Sequence, residues 1–173
     1  MSWTHEIRLG EIQRAPTKIR LEADAAARKA VARQLGLVSI ESLTADLALK
    51  AWLDGAELTG AFVAEVTQTC SVSAEDFPER VEGQVFVRMV PAGSPNAPTE
   101  TIGDEIEVDL EGDDPPDVLE SDRIDLAGYV VEHLALELDP FPRKPGAVFE
   151  PPPEETPASP FAILRKLKAD DSN

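Results

Sequence analysis

The sequence predicts an α+β fold: a curved antiparallel β-sheet arranged as a meander, two main helices and a flexible proline-rich C-terminal tail. Alternating hydrophobicity between residues 38 and 90, two segments with helical periodicity and a polar, proline-rich stretch after Gly146 predict this fold class. Closure of the sheet into a barrel is a second arrangement that the pattern allows. We expect one α+β domain over residues 1–144, a proline-rich linker over 145–160 and a short amphipathic basic segment over 161–173.

The meander is predicted from three consecutive alternating segments. Residues 38–53 alternate between apolar and polar side chains, and Asp54-Gly55 then forms a sequence pair typical of two-residue hairpin turns. The return strand follows, and Gly60 interrupts its apolar face, which predicts a bulge or a bend in the sheet. A third strand covers residues 80–90, and shorter strands are expected at 3–9, 17–21 and 104–110.

Two segments have the periodicity and end signals of helices. Residues 23–36 are alanine-rich, with Asp24 in the first turn, Arg33 in the last and Gly36 just past the end. In the second helix, residues 126–138, an apolar side chain recurs every four positions, and Asp125 or Ser121 is expected to cap its start. Because its stripe is so wide, we expect this helix to be largely buried. The stripe comprises Leu126, Tyr129, Val130, Val131, Leu134, Leu136 and Leu138.

Charge is distributed unevenly along the chain. The net charge is -17, yet residues 1–53 carry 8 Lys or Arg and 6 Asp or Glu, and residues 143–173 carry 5 of each. Residues 54–142 carry only 3 Lys or Arg and 22 Asp or Glu. Such a section repels nucleic-acid phosphates at long range and attracts a basic protein. A solvated, solubilising surface is the simpler interpretation.

The composition also argues against several classes of protein. No stretch approaches the roughly 20 apolar residues that span a bilayer, and the first residues lack the pattern of a signal peptide. With one cysteine, Cys70, an internal disulfide is impossible. We therefore expect a cytoplasmic protein without a membrane partner.

Candidate catalytic and metal-binding residues are few. Cys70, His5 and His133 are too few soft ligands for a metal site, so we expect neither a metal nor a cofactor. Cys70 lies in phase with the apolar residues of its strand and is expected to be a buried structural thiol. His133 is expected at the edge of the core, with Glu137 one turn later as a hydrogen-bond partner for its imidazole.

Motifs for other chemistry are also missing. A hydrolase using Cys70 and His133 would need a nucleophile elbow or an activating basic neighbour, and neither is found. No phosphate-binding glycine motif follows a strand, and no strand shows a cluster of exposed aromatic residues for base stacking. The sequence therefore favours a binding protein without a small-molecule substrate over an enzyme.

The second helix runs into a basic corner bracketed by prolines, "DPFPRKPG". Pro140 and Pro142 end the helix and direct the chain away from it, which presents Arg143 and Lys144 together. One interpretation is a helix stop with two solvated cations. The other is a docking surface.

Three stretches carry a resemblance to a known family. "LTGAFVAEVTQTCSVSAEDFPERVEG", "IDLAGYVVEHLALELDPFPRKPGA" and the closing "SPFAILRKLK" occur in the order and spacing of the YceD family, in its alphaproteobacterial form. The resemblance covers roughly residues 1–168. One departure is that many members have Cys-x-x-Cys where this chain has Cys70-Ser71-Val72-Ser73, so no metal or redox role is carried over. The matching positions, interpreted mostly as structural, are Gly60, Cys70, Glu132, Leu134, Leu136 and Pro140.

The resemblance implies a non-enzymatic factor for large ribosomal subunit biogenesis and 23S rRNA accumulation. The charge pattern suggests that it acts by binding a basic ribosomal protein or a pre-ribosomal particle. The alternative is an RNA-binding module that contacts 23S rRNA through its basic terminal segments. The candidate partner-binding residues are Arg143, Lys144, Arg165, Lys166, Lys168, Asp113, Asp114 and Asp117.

Overall fold

The computed structural model describes residues 3–98 and 114–149. The strands are β1 (Glu6–Arg8), β2 (Thr17–Glu22), β3 (Ser39–Trp52), β4 (Gly55–Thr69), β5 (Asp76–Pro91), β6 (Asp117–Leu119) and β7 (Arg123–Asp125). The helices are α1 (Ala25–Leu35) and α2 (Leu126–Glu137), and a short 3-10 turn, Leu9–Glu11, follows β1. The strand expected at residues 104–110, most of the linker and the segment at 161–173 lie outside the described residues.

The predicted α+β fold with a central meander is confirmed. Five strands form one sheet in the order β2-β3-β4-β5-β6, and neighbours are antiparallel except for the parallel pair β5–β6. The sheet is open, so closure into a barrel is wrong. A separate two-stranded antiparallel pair joins β1 to β7. The short strands β6 and β7 were not predicted, because three residues carry too little periodicity to be recognised.

One face of the sheet is buried and the other is not. In β3 the residues Leu43, Ala45, Leu47 and Leu49 are buried, whereas the residues between them are half-buried or exposed. Both helices contribute to the same core, through Val31 and Ala32 of α1 and through the buried side of α2. The helices therefore cover one face. The opposite surface, called the open face below, carries the alternate residues of β2–β5, such as Lys18, Arg20, Asp46, Ala48, Lys50, Glu57, Thr59, Phe86 and Arg88.

The hairpin between β3 and β4 turns one residue earlier than predicted. Trp52 pairs with Gly55, so the two turn residues are Leu53 and Asp54, and Leu53 has a positive φ of 52°. Gly55 lies in the strand, where a Cβ would overlap the carbonyl oxygen of Met89 in β5. The glycine thus permits close approach of two strands, and the expected Asp54-Gly55 turn is wrong for that reason.

Gly60 does not mark a bulge. The β3–β4 register is continuous through Leu47 and Gly60, and the shift in register occurs between Ile40 and Ser42 instead. A Cβ at Gly60 would overlap the carbonyl oxygen of Asp46. The glycine is needed for close backbone contact with β3, which the sequence pattern cannot distinguish from a bulge.

The helix ends follow the predicted signals with some corrections. Asp24 is the N-cap of α1 and its side chain accepts a hydrogen bond from the Ala27 amide at 2.8 Å, so it precedes the first turn. Asp125 is the N-cap of α2, but its carboxylate accepts from the backbone N–H of His5 at 2.8 Å. Leu136 is 81% exposed, so its place in the buried stripe is wrong, because it lies on the solvent side of α2.

Candidate functional site

The basic corner after α2 packs against the turn between β4 and β5. The backbone N–H of Lys144 donates to Cys70 Sγ at 3.3 Å, and the Lys144 ammonium pairs with Glu75 at 2.9 Å. The amide and the hydroxyl of Ser71 both donate to the carbonyl oxygen of Pro142, at 2.8 and 3.0 Å. Arg143 is exposed. Four contacts therefore anchor the corner, and Lys144 is not a freely solvated cation.

The thiol of Cys70 is buried, as predicted, and has an unexpected set of donors. The amides of Val72 and Ser73 each donate to its sulfur at 3.4 Å, in addition to Lys144. Hydrogen bonds from the Ser73 side chain and backbone are the largest causes that lower the Cys70 pKa from 9.0 to about 7. The sequence could not reveal the Lys144 donor, because it lies in a distant segment of the chain.

Cys70 and His133 have separate partners. His133 is half-buried, and its Nδ1 lies 2.8 Å from the carbonyl oxygen of Tyr129, one turn earlier in α2. The expected hydrogen bond to Glu137 is wrong: among the described residues, the partner of the His133 ring is this backbone carbonyl. Within residues 3–98 and 114–149, no hydrogen bond joins Cys70 to His133, and each side chain is engaged by other groups.

Asp114 and Asp117 lie beside a cleft at the far edge of the sheet. The cleft has a volume of about 220 Å³ and lies between β5, the segment leading into β6, and α2. Asp117 is the first residue of β6 and pairs with Met89 of β5. The cleft is lined by Phe86, Val87, Arg88, Asp114, Pro115, Asp117, Tyr129, Glu132 and His133.

Carboxylates dominate the electrostatics of this cleft. Burial is the largest cause that raises the pKa of Tyr129, and the negative charges of Asp117 and Glu132 and a hydrogen bond to Asp117 raise it further. The phenol therefore stays protonated and acts as a donor near neutral pH. The cleft is lined by three carboxylates, the rings of Phe86 and Tyr129, and a single arginine, Arg88, which already contacts Phe86. The excess of negative charge suits a cationic group.

The net negative charge of the described residues is concentrated in the segment that contributes three carboxylates to this cleft. Residues 114–139, which contain β6, β7 and α2 and are called the acidic edge below, carry 8 Asp or Glu and a single Arg. That arginine, Arg123, pairs with Glu6 of β1 at 2.7 Å. Seven of the eight carboxylates are exposed, and Asp125 is half-buried. The acidic residues are Asp114, Asp117, Glu120, Asp122, Asp125, Glu132, Glu137 and Asp139.

The structure does not bring the basic corner and the acidic cleft together. The corner contacts the turn before β5, next to Asp76, whereas Asp117 pairs with Met89 near the other end of that strand. At about 3.3 Å per residue, those two positions are roughly 40 Å apart along β5. The two groups of candidate residues therefore belong to different surfaces. Asp113, Arg165, Lys166 and Lys168 lie outside the described residues.

The open face carries a cluster of cations and aromatic rings that the sequence analysis missed. The Arg88 guanidinium lies 5.1 Å from the ring centroids of both Trp52 and Phe86. Phe86 is 57% exposed and Trp52 is half-buried, and the two rings lie on different strands, so the expectation that no single strand carries such a cluster stands. Pairing across β3, β4 and β5 places the rings together, whereas the chain separates them by 34 positions. Spacing along one strand could not show this.

Ion pairs on the open face join neighbouring strands. Glu57 is buried and pairs with Lys50 at 2.6 Å and with Arg88 at 3.2 Å. The Lys50 hydrogen bond is the largest cause that lowers the pKa of Glu57. Arg20 contacts both carboxylate oxygens of Asp46 at 3.1 Å. Asp46 and Glu57 are thus matched by cations on adjacent strands, unlike the carboxylates of the acidic edge.

Metal binding and membrane insertion find no support in the described part of the chain. Across residues 3–98 and 114–149, no three His, Cys, Asp or Glu side chains are grouped so that they could hold a metal ion. Neither helix within those ranges has the length and hydrophobicity needed to cross a bilayer.

Comparison with known proteins identifies the family. The family model described as "Large ribosomal RNA subunit accumulation protein YceD" matches residues 58–168, which is more than half of the chain. The chain belongs to the YceD family. Neither the curated proteins nor the solved structures contain a match to it.

Membership in the YceD family confirms the resemblance found in the sequence. The family name implies a role in accumulation of the large ribosomal subunit, and the family is not a known enzyme family. The matched region starts in β4 and includes the acidic edge, Cys70 and the basic corner. Lys18, Arg20 and Trp52 of the open face precede it.

Proposed function

We propose that this YceD-family protein promotes accumulation of the large ribosomal subunit as a non-catalytic binding factor, and that its acidic edge holds a basic ribosomal protein. Family membership implies a role in accumulation of the large subunit, and the acidic edge is the surface that we propose for binding. Eight carboxylates and one arginine within residues 114–139 create a negative field that attracts a cationic partner.

The main support for this proposal is the cleft that Asp114, Asp117 and Glu132 line. These carboxylates stand beside Phe86 and Tyr129, so a lysine or arginine side chain of the partner would meet both charge and aromatic surface. The Tyr129 phenol, whose pKa is raised chiefly by burial, stays neutral and adds no charge of its own. A basic protein that would otherwise bind RNA prematurely is shielded in this way.

The experiment is an affinity capture with the tagged full-length protein at rising salt. Wild type is expected to enrich large-subunit ribosomal proteins and precursors, and the enrichment is expected to fall between about 0.05 and 0.3 M salt because screening weakens charge–charge attraction. The variant Asp114→Asn/Asp117→Asn/Glu132→Gln removes three charges from the cleft and is expected to lose most of the captured material.

The matched control removes three exposed carboxylates elsewhere. Glu11→Gln/Glu22→Gln/Glu41→Gln changes the net charge by the same amount but leaves the acidic edge intact. Its capture should equal that of wild type. No enrichment of large-subunit components by wild type, capture that ignores salt, or equal losses in both variants would each refute binding at the acidic edge.

A further inference from the structure

The open face has the shape of a groove across four strands. Lys18, Ala48, Thr59 and Phe86 are paired in one row from β2 to β5, which spans about 14 Å at the usual strand spacing. The two central residues are small, whereas the outer ones are long. A depression of about 480 Å³ beside Lys18 and Arg20 includes Ala48 and Thr59 in its lining.

The charge of this groove opposes that of the whole protein. Around the row lie four cations and two carboxylates, although the chain as a whole has a net charge of -17. Asp46 is engaged by Arg20, and Glu57 is engaged by both Lys50 and Arg88. Among the described residues, Lys18 has no ion pair. We call these residues the basic patch: Lys18, Arg20, Lys50, Trp52, Phe86 and Arg88.

The patch also contains a stacked arrangement of rings and a guanidinium. Arg88 lies 5.1 Å from the centroids of Trp52 and Phe86, and its pair with Glu57 helps to hold it there. The Phe86 ring is 57% exposed. An exposed aromatic ring on a sheet, beside cations, is the surface on which unpaired bases stack while their phosphates meet Lys and Arg.

We propose that the basic patch on the open face binds single-stranded RNA. Charge complementarity calls for a polyanion, and the exposed Phe86 ring favours a partner with bases over an acidic peptide, which needs cations alone. This surface adjoins the acidic cleft, because Phe86 and Arg88 line both, but its other cations lie on β2 and β3 and its partner is different. Since Lys18, Arg20 and Trp52 precede the family match, the binding surface extends beyond the matched region.

The charge contribution is tested by fluorescence anisotropy with a labelled single-stranded RNA of about 12 nucleotides. The full-length protein is titrated at about 0.1 M salt, where the screening length is about 10 Å. Lys18→Glu/Arg20→Glu is expected to weaken binding by about 10-fold or more, because two phosphate contacts become repulsive. Lys29→Glu/Arg33→Glu on α1 changes the net charge equally, at exposed positions away from the patch, and should stay within about 2-fold of wild type.

The aromatic contribution is tested by Phe86→Leu, which keeps an apolar side chain but removes the ring. RNA binding is expected to weaken about 5-fold or more, since stacking on a protein ring contributes substantially to the affinity for each base. Phe141→Leu in the basic corner is the matched control, because Phe141 is 69% exposed, and it should leave RNA binding unchanged. Circular dichroism checks folding, and Lys18→Gln/Arg20→Gln replaces the glutamate pair if that variant does not fold.

Four outcomes would overturn the proposal. They are no saturable RNA binding by wild type, equal losses in the two charge-reversal variants, equal losses in the two phenylalanine variants, and an unchanged affinity of Phe86→Leu. If the affinity of Phe86→Leu is unchanged and poly-glutamate displaces the RNA at similar concentration, the patch is an acidic-peptide site instead. The cleft variant Asp114→Asn/Asp117→Asn/Glu132→Gln should still bind RNA, so failure here is distinguishable from failure of the proposed function.

Discussion

The open face and the acidic edge are formed by neighbouring parts of the fold, but they differ in how their carboxylates are paired with cations. On the open face, Asp46 and Glu57 lie opposite cations on the adjacent strands, and the pairs form across the sheet. On the acidic edge, the single Arg123 is engaged by Glu6 of β1, which leaves eight carboxylates without a matching number of cations. The net negative charge of the described residues is therefore concentrated in residues 114–139, and the two surfaces suit opposite partners.

Gly55→Ala is the change expected to have the largest effect, because it disturbs both regions at once. The new Cβ would overlap the Met89 carbonyl oxygen, so β4 and β5 must separate where the open face adjoins the cleft. We expect a loss of about 3 kcal/mol or more in the free energy of unfolding, measured by urea titration. Gly10→Ala is the control, since nothing lies within 4 Å of the position that its Cβ would take, and it should be nearly neutral. Equal stability of the two variants would contradict the described packing of β4 on β5.

Glu57→Gln tests the comparison on the open face, because it removes the ion pairs of Glu57 with Lys50 and Arg88. Loss of the buried charge leaves Lys50 and Arg88 less well compensated, and we expect a cost of about 1–3 kcal/mol in the free energy of unfolding. RNA affinity should rise, because the patch becomes more positive, while capture by the acidic edge should not change. A fall in RNA affinity with the fold intact would contradict the assigned role of the patch.

The pH dependence of Glu57→Gln follows from the lowered pKa of Glu57. In the unfolded chain the carboxyl titrates near 4.5, and in the folded protein it titrates below that value, chiefly because of the Lys50 hydrogen bond. The stabilisation is therefore present above pH 4.5 and is lost as the pH falls through the folded pKa. The difference in melting temperature between wild type and Glu57→Gln should shrink in that acidic range, and a constant difference would contradict the ion pairs.

Cys70→Ala has a smaller, local effect at the basic corner. It removes the sulfur that accepts from three amides, among them that of Lys144, and should lower the melting temperature by roughly 4 °C. The folded thiol has a pKa of about 7, against 9.0 for an unperturbed thiol, so its thiolate stabilises the fold increasingly from pH 7 to pH 9. The difference from wild type should grow over that range, whereas RNA binding should be unaffected. A difference that shrinks with rising pH would contradict the donor set.

Lys144→Ala is expected to have the smallest effect. Its ammonium pairs with Glu75 at the surface, and such pairs contribute at most about 0.5–1 kcal/mol. Its backbone amide, which bonds Cys70, is kept in the variant. Chemical denaturation should thus show near-wild-type stability, and a loss larger than that of Cys70→Ala would show that the side chain anchors the corner.

The regular part of the fold could be predicted from sequence, because periodicity and end signals are local. The strands β3, β4 and β5 and the extent of α1 and α2 follow from them. Gly55 and Gly60 were misinterpreted, since a glycine needed for contact with a neighbouring strand has the same local pattern as one in a turn or bulge. The exposure of Leu136 could not be anticipated either, because an apolar residue does not reveal which side of a helix the sheet covers.

The candidate site was predicted only in part. Asp114 and Asp117 were proposed as partner-binding residues from the density of charge, and that role stays a prediction. Their cleft with Tyr129 depends on contacts between β5, β6 and α2. The basic patch could not be predicted from the sequence because Lys18, Trp52 and Phe86 lie on three different strands. Only cross-strand register brings such residues together, and register is not encoded in the pattern of a single segment.

The most direct test of the central claim is the amount of large ribosomal subunit on sucrose gradients from cells whose sole copy is Asp114→Asn/Asp117→Asn/Glu132→Gln. Large subunits are expected to be depleted as they are in cells lacking the protein, while Glu11→Gln/Glu22→Gln/Glu41→Gln restores the wild-type profile. A wild-type profile for the cleft variant, in cells where loss of the protein does reduce large subunits, would contradict the acidic edge as the functional surface.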